Sequence, residues 1–288
     1  MARILVVGAG DIGEGFARKM SEGGHQVWCL RRSEQSLEDH SADNSVHWIQ
    51  ADVTEPESLG QLPDNLDIVL YSVASPDFSQ ASYQAYYVDG LKNMLAALQG
   101  QPIKRCMFVS STSVYHQMDG EWVDEQTIAE PHAFAGKEHL NAEKALLDND
   151  IAGTVVRFSG IYGLGRNRLI QQAKRGGHCD PEPPVWTNRI HRDDCIGVLA
   201  LLTEKALAGE ALDDLYLASD DEPASMYDVL EWIKDRIGDV EPDHDLPEVT
   251  RRANRRCSNQ RLKALGYEFK YPGFRDGYDE ILTEMGYD

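Results

Sequence analysis

Three glycines near the N-terminus have the spacing of a phosphate-binding loop. Gly8, Gly10 and Gly13 follow an apolar run, Ile4–Val7, and open a stretch with helical periodicity. The first glycine permits a tight turn, the second lets a diphosphate approach the backbone, and the third allows the helix to pack closely on the strand. Amide groups at the helix N-terminus would face the phosphates, which favours a ligand site over a ligand-free glycine turn. The residues predicted to form this dinucleotide site are Gly8, Gly10, Asp11, Ile12 and Gly13.

The end of the predicted second strand, Gln26–Leu30, is basic. Arg31, Arg32 and Ser33 follow it, and no acidic residue is present among them. An acidic residue at this point hydrogen-bonds the ribose 2′-hydroxyl of NAD, whereas arginine accommodates the 2′-phosphate of NADP. These residues therefore predict a preference for NADP(H) over NAD(H). The alternative is that the arginines belong to a solvated loop.

Strand and helix patterns alternate through the first half of the chain. The continuous apolar run Ile68–Ser72 is typical of a strand covered on both faces of a parallel sheet. Strands separated by helices, with right-handed crossovers, predict an α/β fold: a doubly wound parallel sheet of the Rossmann type, with ligands at the carboxyl ends of its strands. The predicted strands are Ile4–Val7, Gln26–Leu30, Val46–Gln50, Ile68–Ser72, Cys106–Ser110 and Thr154–Phe158. The predicted helices are Ile12–Glu22, Gln84–Leu98, Ala133–Asn149, Asp193–Leu202 and Ser225–Ile237.

The second half of the chain has a different composition and a less regular pattern. Glycine and proline interrupt it after residue 163, and the last part is rich in arginine and aromatic residues. This change predicts a smaller C-terminal substrate lobe beside the sheet. We predict that the Rossmann domain comprises residues 1–163 and 184–219, and that the substrate lobe comprises residues 164–183 and 220–288.

Composition limits the classes of partner. The 288 residues carry a net charge of −20, and such a surface repels the phosphates of nucleic acids. No apolar run is long enough to cross a membrane, and the first residues lead directly into a strand, so we expect a cytoplasmic protein without a signal peptide. The scattered cysteines lack a zinc spacing, which predicts reduced thiols and no metal. They are Cys29, Cys106, Cys179, Cys195 and Cys257.

Five further segments, together with the glycine loop, resemble a known superfamily. They are Ala51–Val53, Ser72–Ala74, Ser110–Tyr115, Val156–Gly163 and Asn188–Asp194. On these motifs the chain resembles the extended branch of the short-chain dehydrogenases/reductases, which comprises NAD-dependent epimerases, dehydratases and reductases. The resemblance covers nearly the whole chain. It implies that Asp52 and Val53 lie at the adenine and that Val73 and Ala74 lie under the cofactor.

Two features depart from the pattern of this superfamily. The first loop reads GxGxxG, with Val7 where the extended branch usually has glycine. The catalytic Tyr-x-x-x-Lys pair is also missing, because Ala135 stands at the tyrosine position and His139 at the lysine position. The chain is therefore an atypical member, without the usual proton donor and without the ammonium that assists it.

The remaining candidates for catalysis come partly from the resemblance. Ser111 is at the hydrogen-bonding Ser/Thr position, and Tyr115 is the nearest phenol in sequence, although in the family it mostly packs. His139 titrates near neutrality and could contact the nicotinamide ribose or relay a proton, or could simply lie on the helix surface. Arg189 is the candidate substrate contact, because a cation in the cleft of an acidic protein suggests an anionic group. For His191 we favour a structural role in the turn before the next helix.

These observations predict two different functions. The first is an NADP(H)-dependent oxidoreductase or an epimerase/dehydratase-like enzyme acting on a small, sugar-derived carbonyl or alcohol. The alternative is a non-catalytic NADP(H)-binding sensor or regulatory protein, which the missing Tyr-Lys pair favours. A homodimer through the helices Gln84–Leu98 and Ala133–Asn149 is compatible with the sequence, but an amphipathic helix on a sheet needs no partner to explain it.

Overall fold

A computed structural model describes residues 1–32, 46–238 and 253–287 of the chain. Within these residues the central element is a seven-stranded sheet with the strand order β11-β7-β5-β4-β1-β2-β3. The sheet strands are β1 (Arg3–Val7), β2 (Gln26–Arg31), β3 (His47–Gln50), β4 (Ile68–Tyr71), β5 (Arg105–Ser111), β7 (Gly153–Phe158) and β11 (Leu215–Ala218). The order reverses at β1, which is the topology of a doubly wound α/β fold. The predicted fold class is confirmed.

The strands of the central sheet pair in parallel, from β3 through β2, β1 and β4 to β5. All four side chains of β4 are buried, as its unbroken apolar sequence predicts for a strand with both faces covered. Parallel pairing brings the carboxyl ends of these strands to one edge of the sheet. The segments that follow β1, β2, β3 and β4 therefore meet at that edge.

Nine α-helices occur in the described residues. They are α1 (Asp11–Glu22), α2 (Gln80–Tyr83), α3 (Gly90–Ala97), α4 (Phe134–Leu147), α5 (Arg168–Lys174), α6 (Arg192–Leu207), α7 (Met226–Ile237), α8 (Gln260–Ala264) and α9 (Phe274–Glu284). Short strands outside the central sheet are β6 (Glu121–Val123), β8 (Gly160–Tyr162), β9 (Trp186–Thr187), β10 (Arg189–His191), β12 (Ala224–Ser225) and β13 (Arg255–Cys257).

The predicted single helix Gln84–Leu98 differs in the structure. Helix α2 begins at Gln80, a π-helical turn occupies Gln84–Asp89, and α3 ends at Ala97. The hydroxyl of Tyr71 donates a hydrogen bond to the carbonyl of Tyr86, at 2.6 Å. This carbonyl therefore has a partner outside the helical ladder, and the helix widens at that turn.

The chain divides into two compact units. The first comprises residues 1–114, 129–157 and 196–216, and the second comprises residues 115–128, 158–195 and 217–288. The first unit has an apolar core between the sheet and its helices, centred on residues such as Leu5, Leu91 and Phe108. The second unit has its own core, which includes Ile170, Leu230 and Phe274.

All five cysteines lie within the described ranges, are buried and form no disulfide. Burial raises the pKa of the Cys106 thiol to about 12. In the part of the chain that the structure describes, no helix combines the length and the apolar character that crossing a membrane requires.

Candidate functional site

A groove of about 500 Å³ lies at the carboxyl edge of the sheet, within the first unit. Its walls are the segments that follow four adjacent strands, so the sheet topology determines its position. The residues that line it are Gly8, Ala9, Gly10, Leu30, Arg31, Arg32, Ala51, Asp52, Val53, Ser72, Val73, Ala74, Ser75, Pro76 and Tyr86. Eight of the residues predicted to bind a cofactor line this groove, whereas Asp11, Ile12 and Gly13 do not; the eight are Gly8, Gly10, Arg31, Arg32, Asp52, Val53, Val73 and Ala74.

The glycine loop has the geometry that a diphosphate needs. Gly8 has a φ of 87°, and a Cβ there would lie 2.6 Å from the backbone of Val73. A Cβ on Gly13 would lie 2.5 Å from the carbonyl oxygen of Gly8. At Gly10, in contrast, an added Cβ would meet no atom within 4 Å, so the space in front of this residue is open. Two glycines thus shape the loop, and the middle one leaves room for a ligand.

Helix α1 begins directly after this loop. Its N-cap is Gly10, and no side chain caps its first turn. Asp11 is exposed at the first helical position, whereas Ile12 is buried against the core. An uncapped helix N-terminus beside an open space suits an anionic group, because the partial positive charge of the helix is directed at it. The residues present therefore fit the diphosphate of a dinucleotide.

The two arginines at the end of β2 have different surroundings. The Nε of Arg31 donates to the carbonyl of Ala9 at 2.6 Å, and its Nη2 lies 2.5 Å from a carboxylate oxygen of Glu14. Its guanidinium also lies over the ring of Trp48, at 4.6 Å from the ring centre. Arg31 is therefore held in place by the protein itself and ties the end of β2 to the glycine loop.

Arg32 lies at the rim of the groove. Its side chain is 56% exposed, and its Nη1 bonds to the hydroxyl of Tyr86. Its Nε lies 3.9 Å from a carboxylate oxygen of Asp52. A largely solvent-exposed guanidinium of this kind can turn towards a phosphate at low cost. Ser33, the third residue predicted here, lies outside the described residues.

The residues after β3 and β4 complete the groove walls. One carboxylate oxygen of Asp52 accepts hydrogen bonds from the amide and the hydroxyl of Thr54, at 2.9 and 2.7 Å. Val53 is buried, and it packs where a side chain on Gly90 would otherwise lie. Val73 passes close to Gly8, and Ala74 is exposed on the groove wall.

Seven residues that line the groove were not predicted as site residues: Ala9, Leu30, Ala51, Ser72, Ser75, Pro76 and Tyr86. Ser75 and Pro76 extend the wall after β4, and Tyr86 reaches the groove from the π-helical turn. The adjacent tyrosines at 86 and 87 were visible in the sequence, but a regular α-helical reading gave no reason to place either of them at the cofactor. The hydroxyl of Tyr71 and the wider turn are tertiary features that a periodicity cannot show.

Ser111 is the last residue of β5 and is partly buried. Its hydroxyl oxygen accepts a hydrogen bond from the amide of Ser113 at 3.1 Å. No acceptor for the hydroxyl proton of Ser111 occurs among the described residues. Ser111 thus stands at the carboxyl edge of the sheet, one strand beyond the segment that closes the groove after β4.

Helix α4 carries Ala135 and His139, which stand at the positions of the catalytic Tyr-Lys pair. Ala135 has no polar group, and Lys137 is exposed. His139 is 7% exposed and is surrounded by aromatic rings, with the centre of Tyr87 at 4.4 Å and that of Tyr83 at 5.9 Å. Burial lowers the pKa of His139 to about 4, and its Nδ1 has no hydrogen-bond partner. The imidazole is therefore neutral at physiological pH.

The same helix carries a buried ion pair that sequence reasoning did not identify. Glu143 and Arg157 form a two-point contact, with distances of 2.9 and 2.6 Å, and both side chains are buried. The hydroxyl of Ser110 donates to the same carboxylate at 2.5 Å. These bonds tie α4 to β5 and β7. They position the helix and have no contact with the groove residues.

The other candidates belong to the second unit. The hydroxyl of Tyr115 donates to the carbonyl of Asp124 at 2.6 Å, so its proton is held by the backbone. Arg189 is buried, and its Nη2 donates to the hydroxyl of Thr187 at 2.6 Å. Among the described residues its Nη1 has no hydrogen-bond partner. Burial raises the pKa of nearby Asp220 well above its ordinary value.

His191 and Asp194 organise the start of α6 in the second unit. The Nδ1 of His191 accepts a hydrogen bond from the amide of Asp193 at 3.2 Å, which is the geometry of a cap. The carboxylate of Asp194 accepts bonds from the hydroxyl of Tyr267 and from the amides of Lys270 and Tyr271, at 2.8 to 3.0 Å. These contacts agree with the structural role predicted for His191.

Comparison with known proteins gives consistent matches. Residues 8–195 match the sequence model of a family described as NAD(P)H-binding. A structure from Methylobacillus flagellatus, named provisionally as an NAD-dependent epimerase/dehydratase, is 39% identical, with a TM-score of 0.81 over 99% of both chains. The 2-alkyl-3-oxoalkanoate reductase of Stenotrophomonas maltophilia is 26% identical over 82% of this chain and 76% of its own.

A more distant structure shares the fold. The UDP-glucuronic acid 4-epimerase of Bacillus cereus, solved with NAD and a fluorinated UDP-sugar, is 19% identical. Its TM-score is 0.79 over 98% of this chain and 99% of its own. At this identity the match describes the architecture of the chain only.

Proposed function

Because the chain belongs to the NAD(P)H-binding family of epimerase/dehydratase-type short-chain dehydrogenases/reductases, we propose that it binds NADP(H) and acts as an oxidoreductase or epimerase-like enzyme. Its substrate would be a small carbonyl or alcohol, and a sugar derivative is the first candidate. The observation that carries this proposal is the continuous groove with an open space in front of Gly10 and arginine at the adenosine end.

The preference for NADP(H) is supported by the two arginines. The Arg31 side chain is only 16% exposed and is bonded to Ala9 and Glu14, whereas the Arg32 side chain is 56% exposed at the groove rim, so Arg32 is the side chain that would meet a 2′-phosphate. Asp52 also lies at this end, but one of its carboxylate oxygens is held by Thr54. A phosphate beside Arg32 would gain a charge-assisted hydrogen bond that a 2′-hydroxyl would not match.

The chemistry of the site follows from the residues beside the groove. NADP(H), when bound, would supply or accept a hydride. Ser111 would hold the oxygen of the substrate by donating its hydroxyl proton. Ala135 cannot act as an acid, and neutral His139 is enclosed by aromatic rings. The proton that a carbonyl reduction needs would therefore come from a group other than the usual Tyr-Lys pair.

The second candidate function is a non-catalytic NADP(H)-binding sensor. It is supported by the same two positions, since Ala135 and the neutral His139 leave helix α4 without an ionised group at the usual catalytic positions. Homodimer formation and a cytoplasmic location stay predictions for either function.

One experiment separates these functions. The thermal stability of the purified protein is measured with NADPH and with NADH at equal concentrations, because a ligand that binds the native state raises the Tm. The protein is then incubated with NADPH and a panel of carbonyl substrates, including keto-sugar nucleotides and 3-oxo acids, while cofactor absorbance is followed.

We expect NADPH to raise the Tm more than NADH and at least one carbonyl to be reduced. Tight NADPH binding without oxidation by any substrate would favour the sensor. A protein stabilised by neither dinucleotide would contradict both functions.

A further inference from the structure

A phenol stands directly behind the groove wall that follows β4. The amide of Ser75, which lines the groove, donates a hydrogen bond to the hydroxyl oxygen of Tyr87 at 3.4 Å. Tyr87 comes from the π-helical turn and is 9% exposed. Its hydroxyl group therefore lies at the groove wall, although its ring belongs to the core.

The hydroxyl proton of Tyr87 has no acceptor among the described residues. The contacts of its ring are aromatic, with His139 at 4.4 Å and Tyr83 at 5.0 Å between ring centres. Burial raises the pKa of Tyr87, so the phenol stays protonated. A buried hydroxyl oxygen that already accepts a bond and still carries a free proton is suited to donate to a ligand.

The topology identifies which part of the ligand would lie there. The groove crosses the sheet in the order β2, β1, β4. With the adenosine at Arg32 beyond β2 and the diphosphate at Gly10 beyond β1, the remaining part of a dinucleotide lies beyond β4. The wall at Ser75 therefore faces the nicotinamide half of the cofactor.

We propose that Tyr87 binds the nicotinamide half of the cofactor by donating a hydrogen bond to a hydroxyl oxygen of its ribose. This assignment rests on the proposed NADP(H) function. Tyr87 is then a cofactor-binding residue. Its hydrogen bond takes the place of the ribose contact made by the lysine of the superfamily, since α4 has His139 at that position. His139 then acts as a positioning residue, because its ring packs against the phenol without supplying a charge.

The test compares Tyr87→Phe with a matched variant, Tyr83→Phe. Both changes remove one hydroxyl from the same aromatic cluster, but no hydrogen bond joins Tyr83 to the groove wall within the described residues. Equilibrium binding is measured by calorimetry for two probes: NADPH, and adenosine 2′,5′-bisphosphate, which lacks the nicotinamide half. The second probe also reports whether each variant keeps the adenosine end intact.

We expect Tyr87→Phe to bind NADPH roughly three- to tenfold more weakly, as loss of one neutral hydrogen bond implies. The same variant should bind adenosine 2′,5′-bisphosphate as the wild type does, and Tyr83→Phe should bind both probes unchanged. Unchanged NADPH affinity of Tyr87→Phe overturns the assignment, as does an equal loss for both probes. If the wild type binds neither probe, the proposed cofactor site itself is wrong, and the assignment falls with it.

Discussion

The groove beside β1 and the inner face of α4 use polar groups in opposite ways. In the groove, Arg32 is mostly exposed, and the space in front of Gly10 is open. On α4, Glu143 is held by Arg157 and Ser110, and His139 is neutral within aromatic rings. The difference indicates that the first region is built to receive a charged ligand, whereas the second stabilises the fold. Variants can test each side of this comparison, beginning with the largest expected effect.

The buried ion pair of α4 should dominate stability. Glu143→Ala leaves the Arg157 guanidinium buried without its partner, and breaking such a pair costs about 3–5 kcal/mol of unfolding free energy. Denaturant unfolding measures this loss. Lys137→Ala on the exposed face of the same helix is the control and should change stability by less than about 0.5 kcal/mol. Equal effects of the two variants would show that the pair does not anchor the helix.

His139 should make stability depend on pH. Its folded pKa is lowered from 6.5 to about 4, so the unfolded chain binds this proton more readily than the native protein does. The free energy of unfolding therefore does not depend on this group above pH 6.5. As the pH falls from 6.5 to 4, it decreases by about 3 kcal/mol. Denaturant unfolding of the wild type and of His139→Phe across this pH range measures the effect. The free energy of unfolding of the variant should not show this decrease, because phenylalanine binds no proton. Parallel pH curves for the two proteins would contradict a neutral buried histidine.

Gly10→Val tests the ligand side of the comparison. Gly10 has extended backbone angles that any residue adopts, and an added Cβ would meet open space, so the Tm should fall by only a few degrees, because valine is a poorer N-cap residue than glycine. The added side chain would occupy the space proposed for the diphosphate, and we expect dinucleotide binding to weaken roughly a hundredfold, or about 2.7 kcal/mol. Calorimetric titration measures it. Retained affinity would show that the open space is not the phosphate site.

The smallest expected effect concerns cofactor choice. Arg32→Gln should weaken NADPH binding about tenfold, close to 1.4 kcal/mol, and leave NADH binding unchanged. Arg31→Gln is the matched control, since Arg31 bonds to Ala9 and Glu14. That variant should lower the Tm without discriminating between the two dinucleotides. If Arg31→Gln alone lost the preference for NADPH over NADH, Arg31 and not Arg32 would be the residue that contacts the 2′-phosphate.

Sequence reasoning predicted the groove better than the helix beside it. The parallel sheet and the glycine loop follow from local patterns, and these patterns also place Arg31 and Arg32 at the end of β2. The environment of His139 could not be predicted in this way, because a lone histidine on a helix is compatible with a surface position, a relay or a core position. Only the rings of Tyr83 and Tyr87, distant in sequence, make it a buried neutral group.

The same limit applies to the tyrosines themselves. The pair at 86 and 87 was read as part of one regular helix, but the bond from Tyr71 to the Tyr86 carbonyl accompanies a π-helical turn. That turn brings Tyr86 to the groove and the Tyr87 hydroxyl to Ser75. A helical periodicity contains no information about such a bond, because its donor comes from a neighbouring strand.

The architecture, the glycine loop and the absence of a Tyr-Lys pair could therefore be predicted before the structure, because each depends on residue type and on short-range spacing. The tertiary structure decided which polar groups remain available to a ligand. Whether a guanidinium, an imidazole or a phenol can bind depends on which distant atoms already occupy its hydrogen bonds and on how far it is removed from water. Arg31 and Arg32 are adjacent in the chain, yet one is fixed by Ala9 and Glu14 and the other is exposed at the groove.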